Sequence, residues 1–291
     1  MIQQTVVEAQ YRLPPGTRKL LPRTLRDAVR QRVGPFRPSE IGFDHRPPAL
    51  AGGEVAGPPD FVGIGVQKAG TTWWFELIIA HPEVSHRATI HKERHYFDRF
   101  ATEFFGEEQV ANYHGWFPRP EGKIAGEWTP DYVYQPWVPP LLATAAPRAK
   151  LVMIVRDPVE RFLSGLAHTK TSRASLIGNI EAEAVARGFY AAPLRLWRKY
   201  FPADQLLVLQ YEQCVDDPIA ELKRTYRFLR LTDAVVPSGL DRFVNPTFGE
   251  KAELDPEARQ RLVDIYSHDV DDLSNLVPGF DVRWWPNFRR L

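Results

Sequence analysis

GVQKAGTT, residues 65–72, lies where an apolar run, FVGIGV (61–66), gives way to a helix-like one, TTWWFELIIAHP (71–82). The first run reads as a short buried strand and the second as a helix, so the quoted residues form a strand-to-helix turn. Gly65 and Gly70 let the backbone approach a ligand closely. At the start of the helix, unpaired amides and the positive end of the dipole face the turn, and both favour an anion. Thr71 and Thr72 add hydroxyl donors, and Lys68 adds a full charge on a flexible stem. The competing reading is an ordinary turn with a surface lysine.

The nucleotide P-loop, G-x-x-x-x-G-K-[ST], has the same glycine separation, but here Thr71 occupies the lysine slot and the lysine lies inside the loop. An ATPase also needs an acid at a neighbouring strand end for magnesium. KLVMIV (150–155) ends near Asp157, but Arg156 comes first, and Asp157-Pro158 suits a helix cap. The loop therefore reads as a phosphate cradle without a magnesium site.

Working outward, KIAGE (123–127), KLVMIV and QLLVLQYE (205–212) read as strands, KLVMIV as a fully buried one. Asp157-Pro158, Asp217-Pro218 and Asp255-Pro256 each open a helix: VERFLSGLAH, IAELKRTYRFLRL and EARQRLVDIYSHDVDDLSNLV. Strands alternating with helices predict an α/β fold, a single P-loop-like domain over 61–291 with a mostly parallel central sheet flanked by helices. Residues 1–60 read as a basic N-terminal arm and linker. Asp27 is the single acid between Arg12 and Arg37, TLRDAVRQRV (24–33) suits a short helix, and PPALAGGEVAGPPD closes the region. Such an arm packs across the main domain or presents a basic surface for peripheral membrane contact.

The 291 residues are 44% apolar and carry a net charge of +1, enough for a core and with nothing that calls for nucleic acid. The single Cys214 excludes an internal disulfide or a cysteine metal cluster. No apolar run reaches the ~18 residues of a membrane span, and MIQQTVVEAQYRLPPG lacks a signal-peptide pattern. The expected setting is cytoplasmic.

HKERHYFD (91–98) invites a zinc reading, with His91 and His95 four apart. Zinc-peptidase helices read H-E-x-x-H or H-x-x-E-H; here the glutamate is central and no third ligand is signalled, so no metal is expected. The other reading is a general base among cations.

QKAGTT after a strand, KERHYFD further on and RDPVERFLSG after a buried strand resemble the sulfotransferases that use 3′-phosphoadenosine 5′-phosphosulfate (PAPS). The likeness is to the carbohydrate and heparan-sulfate type and its bacterial relatives, over about 61–290. The resemblance implies that the loop Lys68, Ala69, Gly70, Thr71 and Thr72 binds the 5′-phosphosulfate, with Lys68 stabilising the leaving phosphate. It implies that Arg156 and Ser164 hold the 3′-phosphate, and Lys251, in NPTFGEKAEL, is a weaker candidate there. Arg161 supports the site or sits on the helix surface. Glu93 becomes the base that deprotonates an acceptor hydroxyl, and Lys92 tunes it or touches the donor. His95 and Asp98 match positions lining the acceptor pocket, His95 with a catalytic role; the alternative is a structural hydrogen-bonding pair. Trp128, Thr129 and Tyr132, in GEWTPDY, are expected in the pocket. Trp128 stands where the heparan branch often has lysine, which weakens a heparan-like acceptor.

The expected activity is O-sulfation of a small-molecule, glycolipid or carbohydrate hydroxyl. The alternatives are a P-loop-like kinase or NTPase and a non-catalytic nucleotide-binding protein. Trp73 and Trp74 belong to the core or stack on a ring. Acceptor choice is assigned to the loops 99–122 and 170–192, the first of them aromatic (Phe100, Phe104, Phe105, Tyr113, Trp116, Phe117).

Overall fold

Strand β2, Phe61–Gly65, is buried along its whole length and carries the sheet. A computed structural model describes residues 46–87, 90–171, 180–237, 240 and 253–289. Residues 1–45 of the arm, including the expected helix TLRDAVRQRV (24–33), and the loop residue Lys251 lie outside the described residues.

β2 pairs in parallel with β4 (Gly126–Trp128) on one side and β5 (Lys150–Val155) on the other, and β5 pairs with β6 (Leu206–Gln210), giving the order β4-β2-β5-β6. All three pairings are parallel. Unbroken apolar strands are what a sheet covered on both faces requires. Helices α1 (Thr71–Ile79), α4 (Pro158–Thr171) and α8 (Pro218–Leu229) flank it; α1 and α4 follow the carboxyl ends of β2 and β5, and a short helix (Tyr211–Asp216) separates β6 from α8. Trp74 of α1 donates its indole N–H to Thr225 of α8 (3.1 Å), and Tyr226 donates to the Leu77 carbonyl (2.9 Å). Trp73 and Trp74 are thus core residues, 2% and 0% exposed.

The three Asp-Pro signals cap helices as expected. Asp157 accepts from Val159 and Glu160, Asp217 from Ala220, and Asp255 from Ala258 at the start of α9 (Pro256–Leu276). Elsewhere the element bounds differ. The expected helix 71–82 ends at Ile79, because Pro82 disfavours helical geometry in the residue before it. The strand expected at 123–127 lies at 126–128: Ile124 bridges Val84 instead, and pairing with β2 begins at Gly126. Within the stretch expected as linker, β1 (Glu54–Val55) pairs antiparallel with β3 (Arg119–Pro120), and Glu54 forms an ion pair with Arg87.

Of the aromatic loop, Phe100, Tyr113, Trp116 and Phe117 are core residues. Phe104 is 82% exposed and remains the aromatic of that set open to solvent. Phe100, Phe105, Tyr113 and Phe117 form edge-on and tilted stacks around Phe97 and Tyr96, which anchor the segment holding the candidate base.

Candidate active site

The end of β2 delivers the chain into a turn whose geometry depends on a glycine. Gly70 is the N-cap of α1 at φ 77°, a left-handed conformation that L side chains rarely adopt. A Cβ there would also lie 2.9 Å from the Tyr211 ring. Having no side chain, this cap leaves the first-turn amides of α1 facing the turn. Lys68, at φ 71°, is likewise left-handed, and Ala69 is fully buried beneath the loop.

Arg156, at the end of β5, donates from Nη1 to the Lys68 carbonyl (3.1 Å), and its guanidinium lies over the Tyr211 ring at 4.8 Å. Tyr211 therefore supports both the loop and Arg156. The Arg156 Nε is buried and has no hydrogen-bond partner among the described residues. Burial pulls the Lys68 ammonium below its ordinary range, and the Arg156 and Arg161 charges push it further in that direction. Cations crowded at a helix N-terminus make a site for an anion. Arg161 is no surface residue: it is 1% exposed and donates to the Ala184 carbonyl. Ser164 lies on α4, half-buried, one turn beyond Arg161.

Asp157 is fully buried with both oxygens occupied, one by its helix cap and the other by the backbone and side-chain amides of Asn287. Those bonds take up the lone pairs that a magnesium ion would need.

The segment 92–98 faces the loop. The Lys92 Nζ lies 3.2 Å from the Thr71 hydroxyl, 3.0 Å from that of Thr72 and 3.0 Å from Glu93 Oε1. One ammonium thus joins the anion-binding turn to the candidate base. His95 Nε2 is 3.3 Å from Glu93 Oε2, and its Nδ1 is 2.8 Å from Asp98 Oδ2. Burial alone would push the His95 imidazole down, but these hydrogen bonds, with the Asp98 and Asp131 charges, raise it to about 10. At neutral pH both ring nitrogens therefore donate. Burial would raise the Glu93 carboxyl, yet the His95 hydrogen bond and the Lys92 charge hold it below its ordinary range. It stands ionised, ready to accept a proton.

His95 itself adopts φ 49°, a left-handed position that costs a non-glycine residue about 1–2 kcal/mol. The support comes from beneath. Thr129 accepts from the amides of Arg94 (2.9 Å) and His95 (3.3 Å), and Tyr132 accepts from that of Tyr96 (2.8 Å). Trp128 donates its amide to the Lys92 carbonyl (3.0 Å), and its indole packs over Gly63.

This corrects the expected acceptor pocket. Trp128, Thr129 and Tyr132 are each 0% exposed and lie under the segment 92–98, which they hold from beneath. The structure does bring Lys68–Thr72, Arg156, Lys92, Glu93, His95 and Asp98 together at the carboxyl end of the sheet, where open α/β folds bind ligands. Sequence reasoning missed Tyr211 and Glu127. Glu127 is completely buried in a short strand, and nothing in its spacing marks it.

Comparison with protein families matches residues 58–244 to the sulfotransferase domain. The chain belongs to the sulfotransferase family. It is 32% identical over 210 residues to human heparan sulfate glucosamine 3-O-sulfotransferase 6, covering 66% of this chain and 59% of that protein. With mouse heparan sulfate glucosamine 3-O-sulfotransferase 3A1 it shares 32% over 188 residues, 60% of this chain and 46% of the relative. The chain thus spans about half the length of these curated relatives. Among solved structures, a sulfotransferase from Alicyclobacillus acidocaldarius matches with a TM-score of 0.59 at 19% identity, covering 78% of this chain and 98% of that one. One from Mycobacterium avium matches at 0.51 and 14%, over 75% of this chain and 77% of the other. These two likenesses establish the fold: an α/β sulfotransferase with a parallel sheet.

Proposed function

We propose that this sulfotransferase moves a sulfuryl group from PAPS to an acceptor hydroxyl, with Glu93 as base. The observation that carries the reading is the anion-seeking turn set against an ionised carboxylate, with Lys92 between them. A nucleotide bearing phosphates at both ends suits the residues present: Lys68 and the first turn of α1 at one end, and Arg156, whose buried Nε has no partner among the described residues, at the other. When bound, the donor supplies an activated sulfuryl group whose bond to the bridging phosphate oxygen breaks as the acceptor oxygen attacks sulfur.

The protein's share is charge and position. Lys68 and the α1 amides stabilise negative charge developing on the departing phosphate. Glu93 takes the hydroxyl proton as the new oxygen–sulfur bond forms. His95, charged and held by Asp98, keeps Glu93 ionised and oriented. The other Asp98 oxygen, Oδ1, is buried and has no hydrogen-bond partner among the described residues. The relatives' names favour a carbohydrate hydroxyl as acceptor.

Calorimetry with 3′-phosphoadenosine 5′-phosphate in excess chelator tests the donor assignment. Wild type binds without divalent ions, and Lys68→Ala weakens binding about tenfold or more, the effect of a lost charge-assisted contact. Glu93→Gln keeps that affinity but lowers transfer of labelled sulfate to a carbohydrate acceptor by about 10²- to 10⁴-fold. No binding by wild type, or full turnover by Glu93→Gln, overturns the assignment.

A further inference from the structure

The backbone amides of Arg94, His95 and Tyr96 are tied, directly or through one hydroxyl, to a single buried carboxylate. Glu127 Oε2 accepts from the Arg94 amide (3.2 Å) and from the Thr129 hydroxyl (2.7 Å), which itself accepts from the amides of Arg94 and His95. Glu127 Oε1 accepts from Tyr113 (2.7 Å) and from Tyr132 (3.4 Å), the latter accepting from the Tyr96 amide. A fully buried carboxylate is costly unless it is saturated with donors, and these donors come from the helix Glu107–His114, from the 3-10 turn Pro130–Tyr134 and from the base-bearing segment. The network meets the chain where His95 takes its left-handed turn.

We propose that Glu127, acting through Thr129, is the positioning residue of the active centre, holding His95 in the conformation that aims its ring at Glu93. This rests on the reading of Glu93 as base, and gives β4 a role beyond pairing with β2. Glu127 touches no reacting atom. It converts a strand position into the orientation of a ring two links away, and an acceptor lost from this network releases amides that have no solvent to turn to.

Among the described residues, Glu93, Asp98 and Asp131 are charged groups that face His95, with Arg187 paired to Asp131. Its titration therefore reports whether the ring stays engaged. The experiment follows the His95 imidazole by NMR in ligand-free, isotope-labelled protein, assigned with His95→Gln. Glu127→Gln lowers the His95 pKa by about one unit or more relative to wild type, as the ring loses its carboxylate contacts. Thr129→Val does the same, and Thr129→Ser, which keeps the hydroxyl, restores the wild-type value. If Glu127→Gln does not fold, the Thr129 pair decides. A folded Glu127→Gln or Thr129→Val whose His95 titrates as in wild type overturns the proposal. Because no nucleotide or acceptor enters this measurement, it stands or falls separately from the donor-binding test.

Discussion

Lys92 joins the strand-to-helix turn to the candidate base through one ammonium group. Its ammonium is within 3.2 Å of both loop hydroxyls and 3.0 Å from the base. Burial lowers its own pKa, and the Glu93 charge partly restores it. In return it favours the ionised form of Glu93. Replacing the ammonium with an apolar chain removes that stabilisation, so the Glu93 pKa rises and the base becomes protonated at a higher pH. Lys92→Met is therefore expected to shift the acid limb of the kcat pH profile upward and to lower kcat by about tenfold or more at neutral pH. Lys92→Arg, which keeps the charge, retains the position of the limb. An unmoved limb in Lys92→Met disproves the coupling.

At the scale of elements, the decisive contact lies between two parallel strands. Gly63 on β2 pairs with Trp128 on β4, and a Cβ at Gly63 would fall 1.9 Å from the indole. Trp128 is fully buried, with its N–H directed to the Gly65 carbonyl, so the ring has nowhere to swing. Because Trp128 also holds the Lys92 carbonyl, a displaced indole disturbs both the turn and the base-bearing segment. Gly63→Ala should destabilise the protein by about 1–3 kcal/mol through overpacking, a fall of several degrees in Tm by calorimetry. Adding Trp128→Leu to the same chain makes room and recovers part of the loss. A neutral Gly63→Ala argues against the close approach of β2 and β4.

At the scale of the molecule, a second buried acid network ties the C-terminal segment to the sheet. Glu212 accepts from the Asp157 amide and from the Trp285 indole, while Asp157 accepts from Asn287. Burial, with a contribution from the Asp157 charge, raises the Glu212 carboxyl to about 7 despite the opposing hydrogen bond and Arg156. A carboxyl that is harder to ionise folded than unfolded makes the native state bind more protons between the two values, so stability falls as pH rises from about 4.5 to about 7. That difference corresponds to about 3 kcal/mol. His95 acts in the same direction in a later window: its contribution is complete below about 6.5 and is lost as pH climbs to about 10. Urea unfolding across pH should show this decline, and Glu212→Gln should flatten the lower part of it. An unchanged slope in Glu212→Gln refutes the assignment.

What was written locally in the chain was read locally. The turn 65–72, the Asp-Pro caps and the fully apolar β5 depend on neighbours within a few residues, so their spacing alone identified a parallel α/β sheet with an anion-binding turn at a strand end. The same local signals brought Lys68 into view, whereas Arg156, Glu93 and His95 became candidates through the family resemblance carried by RDPVERFLSG and KERHYFD. Tertiary structure alone decided which side chains lie on top and which beneath. Trp128, Thr129 and Tyr132 were expected to face an acceptor and instead form the floor. Glu127 carried no signal, because its donors come from residues that only the folded chain assembles around it. Burial and hydrogen-bond saturation are properties of a neighbourhood in space, and a short strand such as β4 does not announce which of its faces that neighbourhood will close over.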